Sequence, residues 1–444
     1  MVPYAALSWP RGETMTTSAA ETRPTRGRYG ILALIAIATM INYLDRTLVS
    51  VAAPLMAKDL LIGPAVMGLV LSAFSWSYAF AQLPGGAILD RFGTRLTYAA
   101  SLVLWSIFTA LQGFAFNVAS LFGARLGMGA SEAPCFPANS RILVSWFPQH
   151  ERARANSVYS IGMYFGIAFL SPLLFWITAT FGWRQLFIGA GLIGVVFGLV
   201  WWRLYREPQE SNWANQAERD EIDTGGAIKL NIEKAPFSWA DIGWLLKQRQ
   251  IVGASIGQFA TNATLVFFLT WFPTYLATER HMTFIKVGFF ASLPFIAASI
   301  GVLVGGQLSD GLLRKTGSLN WGRKTPVVLG LLLSSLITVA AFVESNAIVI
   351  LVMSIAFFGQ GMSNLGWTLI SEVAPRRLIG ITAGLFNFCT NLAGIITPIL
   401  IGIVVAKTGS FFGGLAFIGG VALLGAFSYL FILGNVERVG EREA

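Results

Sequence analysis

Charge is what this chain has least of. Only 12% of its 444 residues are Asp, Glu, Lys or Arg, against 55% that are hydrophobic, about half the charged share of a water-soluble domain. An ordinary soluble globule is excluded. Cysteine is nearly missing as well. Cys135 and Cys389 both fall inside apolar runs, which leaves no disulfide framework and no metal-ligand spacing, and neither metal nor cofactor is expected. The two histidines, His150 and His281, lie between apolar runs, so protons carried within the apolar part must ride on carboxylates. No cleavable signal pattern precedes the first apolar run, where residues 1–28 are polar. Met15, followed by "TTSAAETRPTRGR", is the expected translation start.

In abundance instead are apolar runs of about 18 residues or more, the length a helix needs to cross the hydrocarbon of a bilayer. Twelve are expected, near residues 29–53, 67–89, 97–116, 119–143, 156–180, 185–203, 251–277, 284–308, 325–344, 347–373, 379–406 and 411–434. The net charge of +9 would suit nucleic acid, but its placement argues for membrane topology. With the N-terminus inside, Lys58, Arg184, Arg280, Lys286 and Lys407 fall outside, and Arg46, Arg125 and Arg141 lie within or at the end of spans. The rest of the 31 Lys and Arg are cytoplasmic. That bias places both termini in the cytoplasm and makes the basic balance mostly topological.

The expected fold is therefore an all-α integral membrane protein of twelve transmembrane helices in two pseudo-symmetric six-helix bundles. An N-terminal tail (1–28) precedes the first bundle (29–204). A polar cytoplasmic linker (205–249), containing "REPQESNWANQAERDEIDTGG", leads to the second bundle (250–434) and a tail (435–444). An internal repeat supports the duplication: "GAILDRFGTR" after the second span returns as "GGQLSDGLLRKTGSLNWGRK" after the eighth, with Gly, Asp and basic residues in the same order. A loop holding a glycine for close helix approach, a carboxylate and basic groups can latch the ends of two helix bundles. Gly86, Asp90, Arg91, Arg95, Arg141, Asp310 and Arg314 are its expected members. Asp90 would accept hydrogen bonds from a facing arginine or helix N-terminus, and Arg91 and Arg95 would hold the membrane face.

Four charges stand at depth and are expected to line one wet chamber midway through the lipid: Asp45, Arg46, Arg125 and Glu132. Arg125 and Glu132 are two helical turns apart, on one face and about 10 Å from each other. A charge at the bilayer centre costs at least about 2.5 kcal/mol, so such residues face a bundle interior or a wet cavity and pair together. A purely structural ion cluster is one reading. Buried pairs are poor stabilisers, however, whereas two guanidinium groups on a cavity form a receptor for a carboxylate. Neighbouring acids that respond to the arginines' occupancy would link proton binding to anion binding. An enzyme reading rests only on "GASIG" (253–257), which matches G-x-S-x-G around Ser255. That pattern needs a strand-to-helix turn and a histidine; here small residues in an apolar helix read as close-packing sites.

Beyond these charges, the chain carries "NYLDR" (42–46), "LSAFSWSYAFAQLPGGAILDRFG" (71–93), "EAPCFPANSR" (132–141), "WFPQHERARA" (146–155), "FFLTWFPTYL" (267–276) and "APRRLIGITAGLFNF" (374–388). With these motifs it resembles the major facilitator superfamily and, within it, the anion:cation symporter family, especially bacterial galactonate, glucarate and hexuronate proton symporters. The resemblance covers nearly all of residues 28–440. It implies that Arg46 and Arg125 serve the anion and that Asp45 and Glu132 carry protons. It continues the lining at Tyr43, Tyr78, Gln258, Asn364, Trp367 and Asn387, each of which, taken singly, reads equally well as a packing residue. Two positions depart from the sugar-acid pattern: Met163, followed by Tyr164, stands where a Gln is usual, and Gly366 stands where the galactonate type has a hydroxyl. Fewer polyol-binding groups point to a different sugar acid or an aromatic carboxylate.

The resemblance implies a monomeric symporter of the bacterial inner membrane that imports an organic anion with protons by alternating access. Exchange or uniport on the same fold is the rival. The fifth span lacks the G-P-x-x-G-G signature of drug/proton antiporters.

Overall fold

The computed structural model describes residues 23–149, 151–226, 239–375 and 378–440. The expected start at Met15, the loop position of His150, residues 227–238 of the linker, Arg376 and Arg377 of the "APRRL" motif, and residues 441–444 lie outside them. Every regular element among the described residues is helical. This is how long apolar segments satisfy each backbone N–H and C=O without water.

The first half of the chain forms α1 (Gly27–Asp59), α2 (Pro64–Gln112), α3 (Val118–Glu132), α4 (Cys135–Trp146), α5 (Arg152–Phe181) and α6 (Trp183–Leu204). α2 comprises two membrane helices joined across Gly93, whose φ of +76° belongs to the left-handed region that glycine enters without strain. In the second half α9 (Arg249–Thr270) is followed by α10 (Phe272–Thr278), α11 (Phe284–Thr316), α12 (Thr325–Ser335), α13 (Asn346–Ser363), α14 (Gly366–Val373), α15 (Ile379–Thr408) and α16 (Phe412–Phe427). Between the halves lie the short helices α7 (Gln216–Thr224) and α8 (Trp239–Leu245).

Eleven helices among the described residues are long and apolar enough to cross a membrane. The expected span at 119–143 is the exception, because it is divided into helices of 15 and 12 residues, each too short to cross alone. Pro134 and Pro137 lack the N–H groups that would bond to the carbonyls of Ala130 and Ala133, and the chain breaks there into α3 and α4. The tenth expected span breaks as well, at Asn364–Leu365 between α13 and α14. Discontinuous helices are where membrane proteins free backbone groups to line a cavity.

α2 packs against α15, and α5 against α11, so the two halves meet along crossed pairs. At the end away from the termini the fit is close. A Cβ on Gly68 would come within 2.4 Å of the Pro398 carbonyl oxygen, and one on Gly288 within 2.8 Å of Phe175. In lipid such van der Waals contact between small residues takes the place of hydrophobic drive. Val51, Met56, Met67, Phe175, Phe267, Phe268, Trp271, Phe272 and Phe411 fill the same end with a continuous buried cluster drawn from both halves. At the end bearing the termini, Gly86, Gly306, Gly380 and Gly384 face open space. The halves are closed at one end and parted at the other.

The described part of the linker that includes α7 packs on the first half. α7 folds back on the start of α1, where the Glu218 carboxylate accepts from Thr25 Oγ1 at 2.6 Å, Gly27 N at 2.9 Å and Arg28 N at 3.1 Å. It thereby caps an end whose N–H groups otherwise lack partners. Arg28 pairs with Glu151 and Glu221, each at 3.0 Å. The "GASIG" glycines pack as their size suggested, Gly253 against Leu433 and Gly257 against the Tyr429 ring.

Candidate functional site

A cavity of about 680 Å³ lies between the halves, reaching from Leu71 and Thr270 toward the parted end at Asn156 and Gly384. Tyr43, Arg46, Tyr78, Arg125, Met163, Tyr164, Gln258, Asn364, Trp367 and Asn387, all marked in the sequence, line it. Asp45 and Glu132 do not. They are 1% and 0% exposed and stand behind the wall, each with its own partner.

Arg46 joins the two layers. Its Nε donates to Glu132 Oε1 at 2.8 Å, and Nη2 donates to the same oxygen. Its guanidinium carbon lies 4.8, 4.6 and 4.9 Å from the ring centres of Tyr43, Phe74 and Tyr78. Three aromatic faces and one carboxylate hold the cation in place, with Asn42 beside Glu132. Arg125 is bound more loosely. Nη2 donates to the Leu71 carbonyl at 3.2 Å, its carbon lies 5.6 Å from the Phe74 ring centre, and its buried Nε and Nη1 have no hydrogen-bond partner among the described residues. Both guanidinium groups therefore flank one ring, that of Phe74.

Asp45 points elsewhere. The indole N–H of Trp105 donates to its Oδ2 at 3.0 Å in the interior of the first half. Successive residues of an α-helix are turned by about 100°, so Asp45 and Arg46 cannot share a face. The expected four-charge chamber is thus corrected. Two cations form its surface, one anion sits directly behind Arg46, and the other is buried a layer deeper.

The second half supplies amides. Tyr164 Oη reaches Gln360 Oε1 at 3.4 Å, and Asn387 Nδ2 donates to Gln82 Oε1, so both contacts bridge the halves. Asn391 Nδ2 donates to Asn387 Oδ1 at 3.1 Å, and Asn262 Nδ2 to the Thr390 carbonyl at 2.7 Å. Gln82, Asn262, Gln360 and Asn391 were not anticipated, although an amide inside an apolar run was signal enough to mark them. Phe74 and Phe136 were missed because a phenylalanine in a membrane helix carries no such signal. Gly366 has a local explanation: a Cβ there would come within 2.2 Å of Gln258 Oε1 and 3.1 Å of Tyr429 Oη. Trp367 beside it is 40% exposed, and its ring meets Phe386 edge-on at 4.9 Å.

The expected gate residues lie toward the parted end. Arg141 pairs with Asp90 at 3.6 Å and donates to the Leu89 carbonyl at 3.3 Å. Arg95 donates to the Trp202 carbonyl at 2.9 Å and stacks 4.2 Å from its ring centre. Arg91 lies against Phe92, and Gly86 faces open space. In the second half Asp310 pairs with Arg323 at 3.3 Å, and Arg323 also reaches Glu372 at 2.9 Å. Arg314 sits in the last turn of α11. Each of these ion pairs stays within its own half.

Residues 35–398 match the Major Facilitator Superfamily profile. The chain belongs to that superfamily. It is accordingly a multi-pass membrane transporter of the facilitator fold and not an enzyme. Among curated facilitator relatives, a D-galactonate transporter from Escherichia coli O6:H1 is 43% identical over 94% of this chain and 98% of its own length. A probable galactarate/D-glucarate transporter from Escherichia coli K12 is 42% identical over 94% and 95%. A hexuronate transporter from Bacillus subtilis is 32% identical over 91% and 94%. Among solved structures, a D-xylose–proton symporter superposes with a TM-score of 0.72 at 13% identity, covering 92% of this chain and 98% of its own. An inward-facing bacterial homologue of the lysosomal transporter Spinster gives 0.69 at 17%, covering 91% and 96%. At such identities these two speak for the fold alone.

Proposed function

We propose that this protein is a proton-coupled symporter that imports a sugar acid across the bacterial inner membrane by alternating access. The chain would cross the membrane twelve times in two six-helix halves, 29–204 and 250–434, with both termini and the 205–249 linker in the cytoplasm. The conformation described is then inward-facing. The sugar-acid part of the reading is supported by the names of the relatives; the proton part rests on one observation, the shared grip of Glu132 and the cavity on Arg46.

A guanidinium that lines the cavity while bonded to a carboxylate behind it has two possible anionic partners. With Glu132 ionised, Arg46 is neutralised from behind and holds substrate weakly. Protonation of Glu132 removes that competitor, and Arg46 joins Arg125 in binding the substrate carboxylate. Proton and anion thus favour each other's binding, as linkage requires. Outside, protonation and anion binding load the cavity together, and the halves rock to the inward-facing state. Loss of the proton to the cytoplasm then returns Glu132 to Arg46 and expels the anion. Asp45, held by Trp105, is the second proposed proton site. Asp90, Arg91, Arg95 and Arg141, with Asp310 and Arg314, are proposed to set closure at the cytoplasmic end, and the transporter is proposed to act as a monomer.

Uptake into proteoliposomes under an imposed inward proton gradient tests this. Glu132→Gln should abolish accumulation against a gradient while sparing exchange of internal for external substrate. Accumulation unchanged in that variant would refute coupling through Glu132, and wild-type uptake indifferent to the proton gradient would favour exchange or uniport.

A further inference from the structure

Among the described residues the cavity is charged on one wall only. Arg46 and Arg125 belong to the first half, whereas the described residues of the second half contribute the amides of Gln258, Asn262, Gln360, Asn364, Asn387 and Asn391 and no ionisable group. Building on the sugar-acid reading, we infer that the site selects six-carbon polyhydroxy acids with one carboxylate over those with a carboxylate at each end. The relatives' names span both kinds, so they do not decide between them.

Three features carry the inference. First, both guanidinium groups stand beside the Phe74 ring, so the cations gather on the first-half side of the cavity. A linear diacid spanning the cavity from one half to the other brings one carboxylate to them and lays the other among uncharged groups. Second, an amide matches a hydroxyl better than a carboxylate. A hydroxyl both donates and accepts, as an amide does, while an ionised carboxylate only accepts and meets repulsion from each amide oxygen it faces. Third, Gln258 Oε1 is an acceptor without a protein partner on a side chain only 3% exposed. It occupies space left by the missing side chain of Gly366. Gln258 thus adds an uncharged side chain to the wall, with its acceptor oxygen turned toward Gly366 and Tyr429. Uncompensated charge at membrane depth costs a factor of about 100 in an equilibrium constant, and that is the discrimination expected.

The test uses the purified full-length protein and measures dissociation constants at one fixed pH, by thermal shift and by competition against uptake. The probes are D-galactonate and D-galacturonate as monoacids, D-galactarate and D-glucarate as diacids, and a D-glucarate monolactone, in which one carboxylate is masked without loss of the carbon chain. The monoacids should bind about 100-fold more tightly than the diacids, and the monolactone should recover most of the loss relative to glucarate. Gln258→Lys, which adds a cation to the neutral wall, should narrow or reverse the preference. Diacids binding within a factor of about ten of monoacids, or a lactone no better than glucarate, would overturn the inference and leave the sugar-acid reading standing. If no sugar acid of either kind binds, the reading itself falls. The lactone arm needs no variant, so a poorly folding Gln258→Lys protein does not blunt the test.

Discussion

The two halves of this transporter share an architecture and divide the chemistry between them. Each breaks its fourth membrane helix beside the cavity, at Ala133–Pro134 in the first half and at Asn364–Leu365 in the second. Beside the first break stands Glu132, ion-paired to a caged arginine. At the second stands Asn364, facing the cavity with uncharged neighbours. The same fold thus holds a charged site on one side and, among the described residues, an uncharged amide surface on the other. On the proposed reading, one wall recognises and couples, while the other measures the shape and polarity of what is bound.

The largest effect that separates the halves should come from the charged one. Arg46→Gln leaves Glu132 buried without its cation, a loss of about 3–5 kcal/mol in stability, read as a lower thermal midpoint together with loss of transport. Adding Glu132→Gln should restore most of the stability but not the transport, because the double variant no longer buries a lone charge. Two single variants that sum to the effect of the double would show that the pair is not coupled. No second-half amide should behave this way. Asn364→Ala or Asn391→Ala is expected to change affinity while leaving the melting temperature nearly unmoved.

A smaller effect is expected one layer deeper. Trp105→Phe keeps an aromatic ring in the core, smaller than the indole, and removes the N–H that Asp45 accepts from. Losing a hydrogen bond to a charged group costs about 1.5–3 kcal/mol, and the variant should melt lower than wild type by the corresponding amount. Phe at 105 with an unchanged melting temperature would mean that Asp45 is neutral in the resting protein.

Sequence reading reached the fold because membrane spans announce themselves by length and apolarity, and because Arg46, Arg125 and Glu132 are conspicuous in hydrocarbon. It misplaced Asp45 and Glu132 on the cavity surface for a physical reason: a buried charge shows that something compensates it, not on which side. Asp45 and Arg46 being adjacent was itself a clue, since neighbours on a helix face different ways. The unbroken span expected at 119–143 failed because hydropathy ignores missing N–H donors, although two prolines three residues apart were visible. The docking of α7 on α1 was hidden because it depends on contacts between residues about 190 apart in sequence, which no local pattern encodes. The aromatic cage around Arg46 was hidden for the same reason, being drawn from α1 and α2.

Gly366 tests the neutral wall at comparable or lower cost. Gly366→Ser places a hydroxyl at this position, but its Cβ must displace Gln258 Oε1. Forcing atoms into a filled site costs about 1–3 kcal/mol, unless the Gln258 side chain swings into the cavity. In that event stability is nearly kept and the change appears as altered substrate affinity. Melting and binding measured on the same sample distinguish strain from repositioning. If neither moves, Gln258 and Gly366 do not constrain each other.

The smallest expected effect lies at a polar contact between the halves on the side of the parted end. Asn387 Nδ2 donates to Gln82 Oε1 across the mouth of the cavity, and Gln82→Ala removes that contact while leaving Arg46 and Arg125 untouched. A net hydrogen bond is worth about 1 kcal/mol, which corresponds to a roughly fivefold shift between two states of similar free energy. The expected readout is faster modification, from the side bearing the termini, of a cysteine placed at Thr368, a position that lines the cavity. Because Asn391 also donates to Asn387, the second half keeps its amide in place when Gln82 is lost. The rate should therefore rise without a fall in sugar-acid affinity. A fall in affinity with no change in labelling would make Gln82 a substrate ligand rather than a latch, and the neutral wall would then extend into the first half.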